Sequence, residues 1–387
     1  MSEPILGTKK LNAVYPLSAD PLHNGHVSVV ETFAPLFEKL WVVIADNPRK
    51  KSRYAFSGGE RAELTTKALA KFPTVEVVRF GNLLPDFLYA NRVDFLLRGL
   101  RNSTDFDFEV DLDWWYKKLG SESTPIFVKS GENEKALSSS YIKDTLLAGG
   151  PVHEFVPLNV KQALEEKLLH QRIVGLTGGM GSGKTKVGKL IAAQARFPVL
   201  DLDLDVLVEG LYFNSECPYH NRVVADVIEA FGPAVLGSDG AIDKAKLGKV
   251  AFSSVKYREK LEGIIYPALD REYRRQKEGF EGLVLVNAAL IADKGMIYMG
   301  NNNVIHVTGD LAIREQRCLD YRGIPASVFR KRVGAQMSDS DRSRIINAEI
   351  AVSGTGFEYV VDNSGSLKDL DRSVGACVEY LQSELGL

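Results

Sequence analysis

Two short segments of the 387-residue chain have residue types and spacing suited to phosphate chemistry. One is His23-Asn24-Gly25-His26, where a histidine near a helix start could stabilise charge on nucleotide phosphates. The other is 178–185, which fits the pattern G-x-x-x-x-G-K-[ST]. In that pattern the glycines let backbone N–H groups converge on phosphate oxygens, the lysine reaches the β/γ-phosphates and the hydroxyl holds Mg²⁺. Both segments therefore predict nucleotide phosphate sites.

The 178–185 segment is the more specific of the two signals. A glycine-rich turn without a ligand would not need a strand before it and a helix after it. The segment lies between an apolar stretch, 173–176, and a stretch with helical spacing, 184–195, as phosphate binding requires. Lys184 is predicted to act on the transferring phosphate and Thr185 to hold Mg²⁺ bound with ATP. The predicted nucleotide-binding residues of this loop are Gly178, Gly179, Met180, Gly181, Ser182, Gly183 and Thr185.

Three carboxylates follow the next apolar stretch at alternate positions, Asp201, Asp203 and Asp205. If the strand continues, all three share the ligand side of a sheet, where one could accept a proton from an attacking hydroxyl and help to place Mg²⁺. A solvated acidic edge is the alternative for any single one of them. The chain has no Asn-Lys-x-Asp guanine-reading signature, which favours a small-molecule kinase over a GTPase.

The histidine segment is weak evidence alone, because surface or core histidines are common. Further phosphate-binding candidates follow later apolar stretches, and together they would surround one pocket. The candidates of this half are His23, Gly25, His26, Lys50, Arg98, Arg101, Ser138, Ser139 and Ser140.

The elements that must position these residues alternate along the chain between strand-length apolar runs and helix-length stretches. Predicted strands are 11–15, 40–45, 75–80, 95–97, 126–128, 173–176, 199–200, 283–286 and 304–307. Predicted helices are 26–37, 59–72, 106–119, 159–170 and 184–195. Such alternation predicts an α/β fold of two doubly wound parallel-sheet domains, with ligands beyond the carboxyl ends of the strands. We place the domains at 1–170 and 171–387.

Composition excludes several protein classes. Lys and Arg number 48 and Asp and Glu number 50, a formal charge of −2, and 45% of residues are hydrophobic. This balance argues against a disordered tail and against nucleic-acid binding by bulk charge. The three cysteines lie far apart, which argues against a disulfide framework. No apolar stretch is long enough to span a bilayer. The expectation is a cytoplasmic enzyme without nucleic-acid or membrane partners.

The second half resembles the dephospho-coenzyme A kinase family over about 173 to 384. The matching stretches are 175–184, Asp201-x-Asp203, Phe231-Gly232, 239–243, 332–337 and 362–366. The resemblance implies that Asp203 is the base on the ribose 3′-hydroxyl and that 210–280 is a helical coenzyme-binding part. It also implies that Arg322 and Arg332 lie on or near a mobile lid and contribute to nucleotide binding.

The first half resembles phosphopantetheine adenylyltransferase over about 11 to 168. The matching stretches are Tyr15-Pro16, Ser18, Asp20-Pro21, Asn24-Gly25-His26, Asn47-Pro48, Lys50-Lys51, Glu60-Arg61, 98–101, Asp105-Phe106, Glu109 and 138–140. The resemblance implies that Lys50 and Ser18 hold the incoming phosphate, while His26, Arg98, Arg101 and Ser139 stabilise the nucleotide phosphates. Leu17 stands where the family has Gly, so its side chain is expected to crowd the phosphate site.

Together the two resemblances imply a Rossmann-like nucleotidylyltransferase fold followed by a P-loop kinase fold with helical substrate and lid insertions. The chain then resembles the bifunctional coenzyme A synthases, with ATP, 4′-phosphopantetheine and dephospho-coenzyme A as its ligands. Two alternatives remain at this point. One is a nucleotidylyltransferase of the nicotinate mononucleotide type fused to an unrelated P-loop kinase. The other is a chain with one degenerate half that serves only in ligand binding or docking.

Overall fold

The computed structural model of the protein describes residues 11–46, 54–100, 103–129, 137–213, 217–238 and 240–387. The chain divides into two compact units, and the division lies between Leu168 and Leu169. The sequence predicts a domain boundary near 170.

The first unit alternates strands and helices from β1 to α6. Its elements are β1 (Asn12–Leu17), α1 (Asn24–Phe33), β2 (Lys39–Ala45), α2 (Gly58–Leu69), β3 (Val75–Phe80), α3 (Leu84–Ala90), β4 (Phe95–Leu100), α4 (Ser103–Lys118), β5 (Thr124–Lys129), α5 (Ser139–Leu147) and α6 (Leu158–Leu168).

Within the described part of this unit, five parallel strands form one sheet in the order β3-β2-β1-β4-β5. The order reverses between β1 and β4, which is where ligands bind in such sheets. β1 and β4 pair only at Ala13 with Phe95 and at Val14 with Leu96. Their carboxyl-terminal parts are therefore not joined to each other, and this leaves space for a cleft. Buried apolar side chains, among them Val14, Val43 and Leu96, form the core on one face.

The second unit begins with β6 and has a larger helical part. Its elements are β6 (Gln171–Thr177), α7 (Lys184–Gln194), β7 (Val199–Asp203), α8 (Leu204–Gly210), α9 (Pro218–Phe231), α10 (Lys244–Ala251), α11 (Val255–Lys277), β8 (Gly282–Asn287), β9 (Asn303–Thr308), α12 (Leu311–Arg322), α13 (Ala326–Gly334), α14 (Asp339–Ser353), β10 (Phe357–Asp362) and α15 (Leu367–Leu385).

Five parallel strands form the sheet of the described second unit, in the order β10-β9-β6-β8-β7. Side chains alternate between its two faces, as they do in any strand. Ile173 and Val284 pack with α8, α9 and α11 on one face, whereas Val174 and Leu285 pack with α7 and α15 on the other. The central strand β6 has β8 on one side and β9 on the other, so the loop after β6 lies at the point where the strand order reverses.

The predicted α/β class with two doubly wound parallel sheets is confirmed. Each predicted strand and helix is present, with ends shifted by a few residues. The sequence analysis missed β10, which lies at the edge of its sheet and contains the polar Glu358 among its apolar residues. None of the helices in the described residues is long and apolar enough to cross a membrane.

Candidate active sites

A cleft of about 200 Å³ opens at the point where β1 and β4 separate. It is formed by the end of β1, the start of α1, the end of β4 and one residue of α4. Its lining residues are Tyr15, Pro16, Leu17, Ser18, His23, Gly25, His26, Val29, Leu97, Arg98, Gly99, Glu109 and Leu137. Six candidates from the sequence analysis, Ser18, His23, Gly25, His26, Arg98 and Glu109, therefore share one cleft.

The two histidines stack at the beginning of α1. Their ring centroids lie 3.6 Å apart with an interplanar angle of 20°. His23 is buried at the N-cap position, and the His26 Nδ1 atom accepts a hydrogen bond of 3.3 Å from the His23 backbone N–H. With Nδ1 facing the backbone, Nε2 of His26 can donate to a ligand. The helix dipole at this end also favours an anion.

Arg98 supplies a buried positive charge to the same cleft. Its Nε atom lies 3.1 Å from Glu109 Oε2 on α4, and its guanidinium lies 5.0 Å from the centre of the Tyr116 ring. Burial raises the pKa of Glu109 above its ordinary value, although Arg98 acts in the opposite direction. The Arg98 Nη2 atom is buried and has no hydrogen-bond partner among the described residues. A guanidinium held in this way can offer a donor to a phosphate oxygen.

The loop between β1 and α1 is held by two charged residues that we did not assign to the site. Asp20 is buried and accepts hydrogen bonds from the backbone N–H groups of Ala55 and Phe56, both at 3.0 Å. It also pairs with Lys143 of α5. Arg61, fully buried on α2, donates to the Ser18 carbonyl. Both residues belong to stretches that matched the adenylyltransferase, so the sequence did contain a signal for them.

The three serines at the start of α5 have structural partners. Ser138 is the N-cap, and its hydroxyl accepts from the Tyr141 N–H at 3.1 Å. The Ser139 hydroxyl donates to the Pro21 carbonyl at 2.9 Å, while Ser140 is exposed. None of the three is among the residues that line the cleft, although Leu137 is. Lys50 and Arg101 lie outside the described residues, so their roles stay predictions.

In the second unit, residues 178–185 form the turn from β6 into α7. Gly183 is the N-cap of α7 with φ +95°, a conformation that favours glycine. A Cβ atom there would overlap the side-chain amide of Asn363. This amide donates to the Ser182 carbonyl at 2.8 Å, which orients the end of the loop. Thr185 is exposed on the first turn of α7.

Lys184 lies across this loop and donates to the Gly178 carbonyl at 2.7 Å. Burial lowers its pKa to about 8, and Asp205 opposes this shift while Arg342 and Arg322 add to it. Arg322, at the end of α12, is thus close enough to act on the lysine charge. Arg332 is exposed on α13, and none of the contacts among the described residues joins it to the loop.

The three carboxylates after Leu200 lie in different surroundings. Asp203 ends β7 and is the N-cap of α8, where its Oδ1 atom accepts from the Asp205 N–H at 3.0 Å. Its Oδ2 atom is not used by the cap. Burial raises the pKa of Asp201, although a hydrogen bond from Asn287 acts in the opposite direction. Burial also raises the pKa of Asp205. Among the described residues no cluster of three or more His, Cys, Asp or Glu could by itself hold a metal ion.

Comparison with known proteins assigns both units. A family model for dephospho-CoA kinase matches residues 172–369, just over half of the chain. The chain belongs to the dephospho-CoA kinase family. A second model, described as cytidylyltransferase-like, matches residues 14–145. The chain therefore carries an N-terminal cytidylyltransferase-like domain and a C-terminal dephospho-CoA kinase domain, an arrangement consistent with a bifunctional coenzyme A synthase.

Two solved structures are similar to part of the chain. The crystal structure of TT1252 from Thermus thermophilus is 27% identical, with a TM-score of 0.45, and the match covers 55% of this chain and 98% of that one. A dephospho-CoA kinase from Campylobacter jejuni is 14% identical, with a TM-score of 0.34 and the same coverage. The two family matches make the protein a transferase of coenzyme A biosynthesis with a kinase domain and a nucleotidyltransferase-like domain.

Proposed function

We propose that the chain catalyses two consecutive reactions. The first transfers an adenylyl group from ATP to 4′-phosphopantetheine, giving dephospho-coenzyme A and pyrophosphate. The second uses ATP to phosphorylate the ribose 3′-hydroxyl of dephospho-coenzyme A. The observation that carries the proposal is the presence of both domains on one chain, because the first reaction makes the molecule for which the second family is named.

The first reaction needs positioning and charge neutralisation more than acid–base chemistry. The phosphate of 4′-phosphopantetheine is already ionised, so its oxygen can attack the α-phosphorus of ATP while pyrophosphate leaves. His26 and Arg98, which face the same cleft, would neutralise the charge that develops on the nucleotide phosphates. Glu109 fixes the Arg98 guanidinium, and Ser18 and Lys50 would hold the incoming phosphate.

The second reaction needs a base and a phosphate cradle. Asp203 would accept the proton of the 3′-hydroxyl as its oxygen attacks the γ-phosphorus of ATP, and ADP leaves. The α8 cap fixes the Asp203 carboxylate through Oδ1, which leaves Oδ2 for the proton. Lys184 is already held at the loop and would neutralise charge on the transferring phosphate, and Arg322 would add to this from α12.

We also propose that Mg²⁺ enters this site with ATP. The donors present suit it, because Thr185 offers an exposed hydroxyl and Asp201 a buried Oδ1 atom without a hydrogen-bond partner in the described chain. Oxygen ligands of this kind are those that Mg²⁺ prefers, and the bound ion would neutralise phosphate charge.

The test compares two acceptors for the first domain. The protein is incubated with Mg-ATP and either 4′-phosphopantetheine or nicotinate mononucleotide, and pyrophosphate release is measured. We expect release with 4′-phosphopantetheine only, together with dephospho-coenzyme A and coenzyme A in the mass spectrum. Release with nicotinate mononucleotide alone would assign the first domain to another substrate and reject the proposal.

A further inference from the structure

The predicted phosphate loop, residues 178–185, is held at Met180 by side chains from the segment that follows β9. The Met180 backbone N–H donates to Gln336 Oε1 at 3.0 Å, and the Met180 carbonyl accepts from Arg314 Nε at 2.9 Å. Gln336 follows α13, and Arg314 lies in the first turn of α12. Both polar groups of the Met180 backbone therefore have partners outside the loop.

Arg314 is itself fixed from two directions. Its side chain is 7% exposed, and its Nη1 atom lies 3.1 Å from the Oδ2 atom of Asp339. Asp339 is the first residue of α14. The same carboxylate binds the fully buried Arg342 at 3.0 Å. The guanidinium also lies so close to Gly179 that a Cβ atom there would overlap it. The arginine is thus held against the loop backbone and has little freedom to move.

We propose that Arg314 is a positioning residue for the phosphate loop, and this rests on the proposed kinase reaction. A loop that binds phosphate through its backbone N–H groups must hold its peptides in fixed orientations, and a carbonyl shielded from water needs a donor. Arg314 gives Met180 a charge-assisted hydrogen bond and keeps that peptide in one orientation. Because it acts through the loop, it governs the affinity for ATP and not the affinity for dephospho-coenzyme A.

The test replaces Arg314 in the full-length protein and measures the kinase reaction with dephospho-coenzyme A supplied. In Arg314→Gln we expect the KM for Mg-ATP to rise about tenfold, equivalent to about 1.4 kcal/mol. The KM for dephospho-coenzyme A stays near the wild-type value. Arg344→Gln is the matched control, since this arginine pairs with Asp341 on the surface of α14, and its KM values are expected to be unchanged.

A conservative variant keeps the test decisive if Arg314→Gln does not fold. Arg314→Lys retains the charge, but a lysine amine lacks the planar fork that reaches Met180 and Asp339 together. We expect a rise of about threefold in the KM for Mg-ATP, roughly 0.65 kcal/mol. Thermal unfolding identifies the folded variants.

Two results would overturn the role of Arg314. One is a folded Arg314→Gln, or in its absence a folded Arg314→Lys, with wild-type KM for Mg-ATP. The other is an equal rise in both KM values, which would indicate general damage to the domain. Calorimetric titration of each variant with Mg-ATP, fitted to the two ATP sites proposed for the chain, separates this proposal from the kinase assignment, since only one of the two affinities should change. Weaker ATP binding supports the role of Arg314 even if the wild type does not phosphorylate dephospho-coenzyme A.

Discussion

The two domains place their candidate phosphate-binding groups where the strand order of each sheet reverses, yet they use different parts of the chain. In the first domain the groups are side chains, chiefly His26 on α1 and Arg98 on β4. In the second domain the candidates are the backbone of 178–185 and the Lys184 side chain, which is held at the Gly178 carbonyl. A site built from side chains loses a phosphate contact directly when one of those side chains is replaced. A backbone site depends on the conformation of the loop and on residues that hold it, such as Asn363 and Arg314.

The largest expected effect is in the second domain, where one carboxylate is assigned as the base. Asp203→Asn keeps an oxygen that can cap α8 but cannot accept the proton. We expect kcat for the kinase reaction to fall by roughly 10²- to 10⁴-fold, the usual contribution of a general base. ATP binding, measured by calorimetric titration, should largely survive.

The matched control for that variant is Asp205→Asn, two residues further along the chain. Asp205 acts on the Lys184 charge, but its side chain does not take part in the α8 cap. A smaller loss of kcat is expected there. If Asp205→Asn is inactive and Asp203→Asn is active, the base is assigned to the wrong carboxylate.

In the first domain the largest effect is expected at Arg98. Arg98→Ala removes a buried donor facing the cleft, so adenylyl transfer should fall on the order of 10²-fold. Arg98→Lys keeps the charge without the fork that contacts Glu109 and is expected to lie between Ala and wild type. The kinase reaction with supplied dephospho-coenzyme A serves as the internal control. Unchanged adenylyl transfer in a folded Arg98→Ala would remove this residue from the site.

The difference between backbone and side-chain groups also explains which parts of the candidate sites could be predicted from the sequence. The glycine pattern at 178–185 was specific because backbone conformation dictates residue type there, as Gly183 with its positive φ illustrates. The partners that hold the loop come from distant segments with no fixed spacing, so position 314 carried no motif. The same applies to Ser139, whose hydroxyl bonds to the Pro21 carbonyl 118 residues away, whereas Ser138 bonds locally as the N-cap of α5.

Leu17 tests whether bulk beside the first cleft matters for turnover. Its side chain lines the cleft but is only 8% exposed, so it also belongs to the packed interior. We expect Leu17→Gly to raise adenylyl transfer or to keep it, while the domain unfolds at a lower temperature because a buried side chain is lost. A loss of activity greater than about tenfold below the unfolding temperature would show that Leu17 contributes to the site.

The smallest expected effect concerns the pH dependence of stability in the second domain. Burial alone would lower the pKa of His306, but two carboxylates outweigh it and raise the pKa above its ordinary value of 6.5. Glu358 forms a hydrogen bond of 2.8 Å with Nδ1, and Asp339 lies 3.7 Å from Nε2. Asp339 in turn contacts Arg314 and Arg342. A raised pKa means that the folded state binds the proton more tightly than the unfolded state. The stabilisation is therefore complete below pH 6.5 and is lost as the pH rises through the folded-state pKa.

The measurement is thermal unfolding of wild type and His306→Gln between about pH 6 and about pH 9. The difference between the two unfolding temperatures should be largest at the acidic end and should shrink as the pH rises. Because the cavity and packing effects of the substitution do not titrate, a difference that is constant over this range would show that the pKa of His306 is the same in the folded and unfolded protein.

The most direct test of two separate active sites is the set of products that the full-length Lys184→Ala variant makes from 4′-phosphopantetheine and Mg-ATP. Lys184 belongs to the second domain, so this variant should accumulate dephospho-coenzyme A and make little coenzyme A. The complementary His26→Ala should make neither product from 4′-phosphopantetheine but should convert supplied dephospho-coenzyme A normally. Circular dichroism verifies that both variants are folded. If a folded Lys184→Ala variant forms no dephospho-coenzyme A, the two reactions do not take place at independent sites.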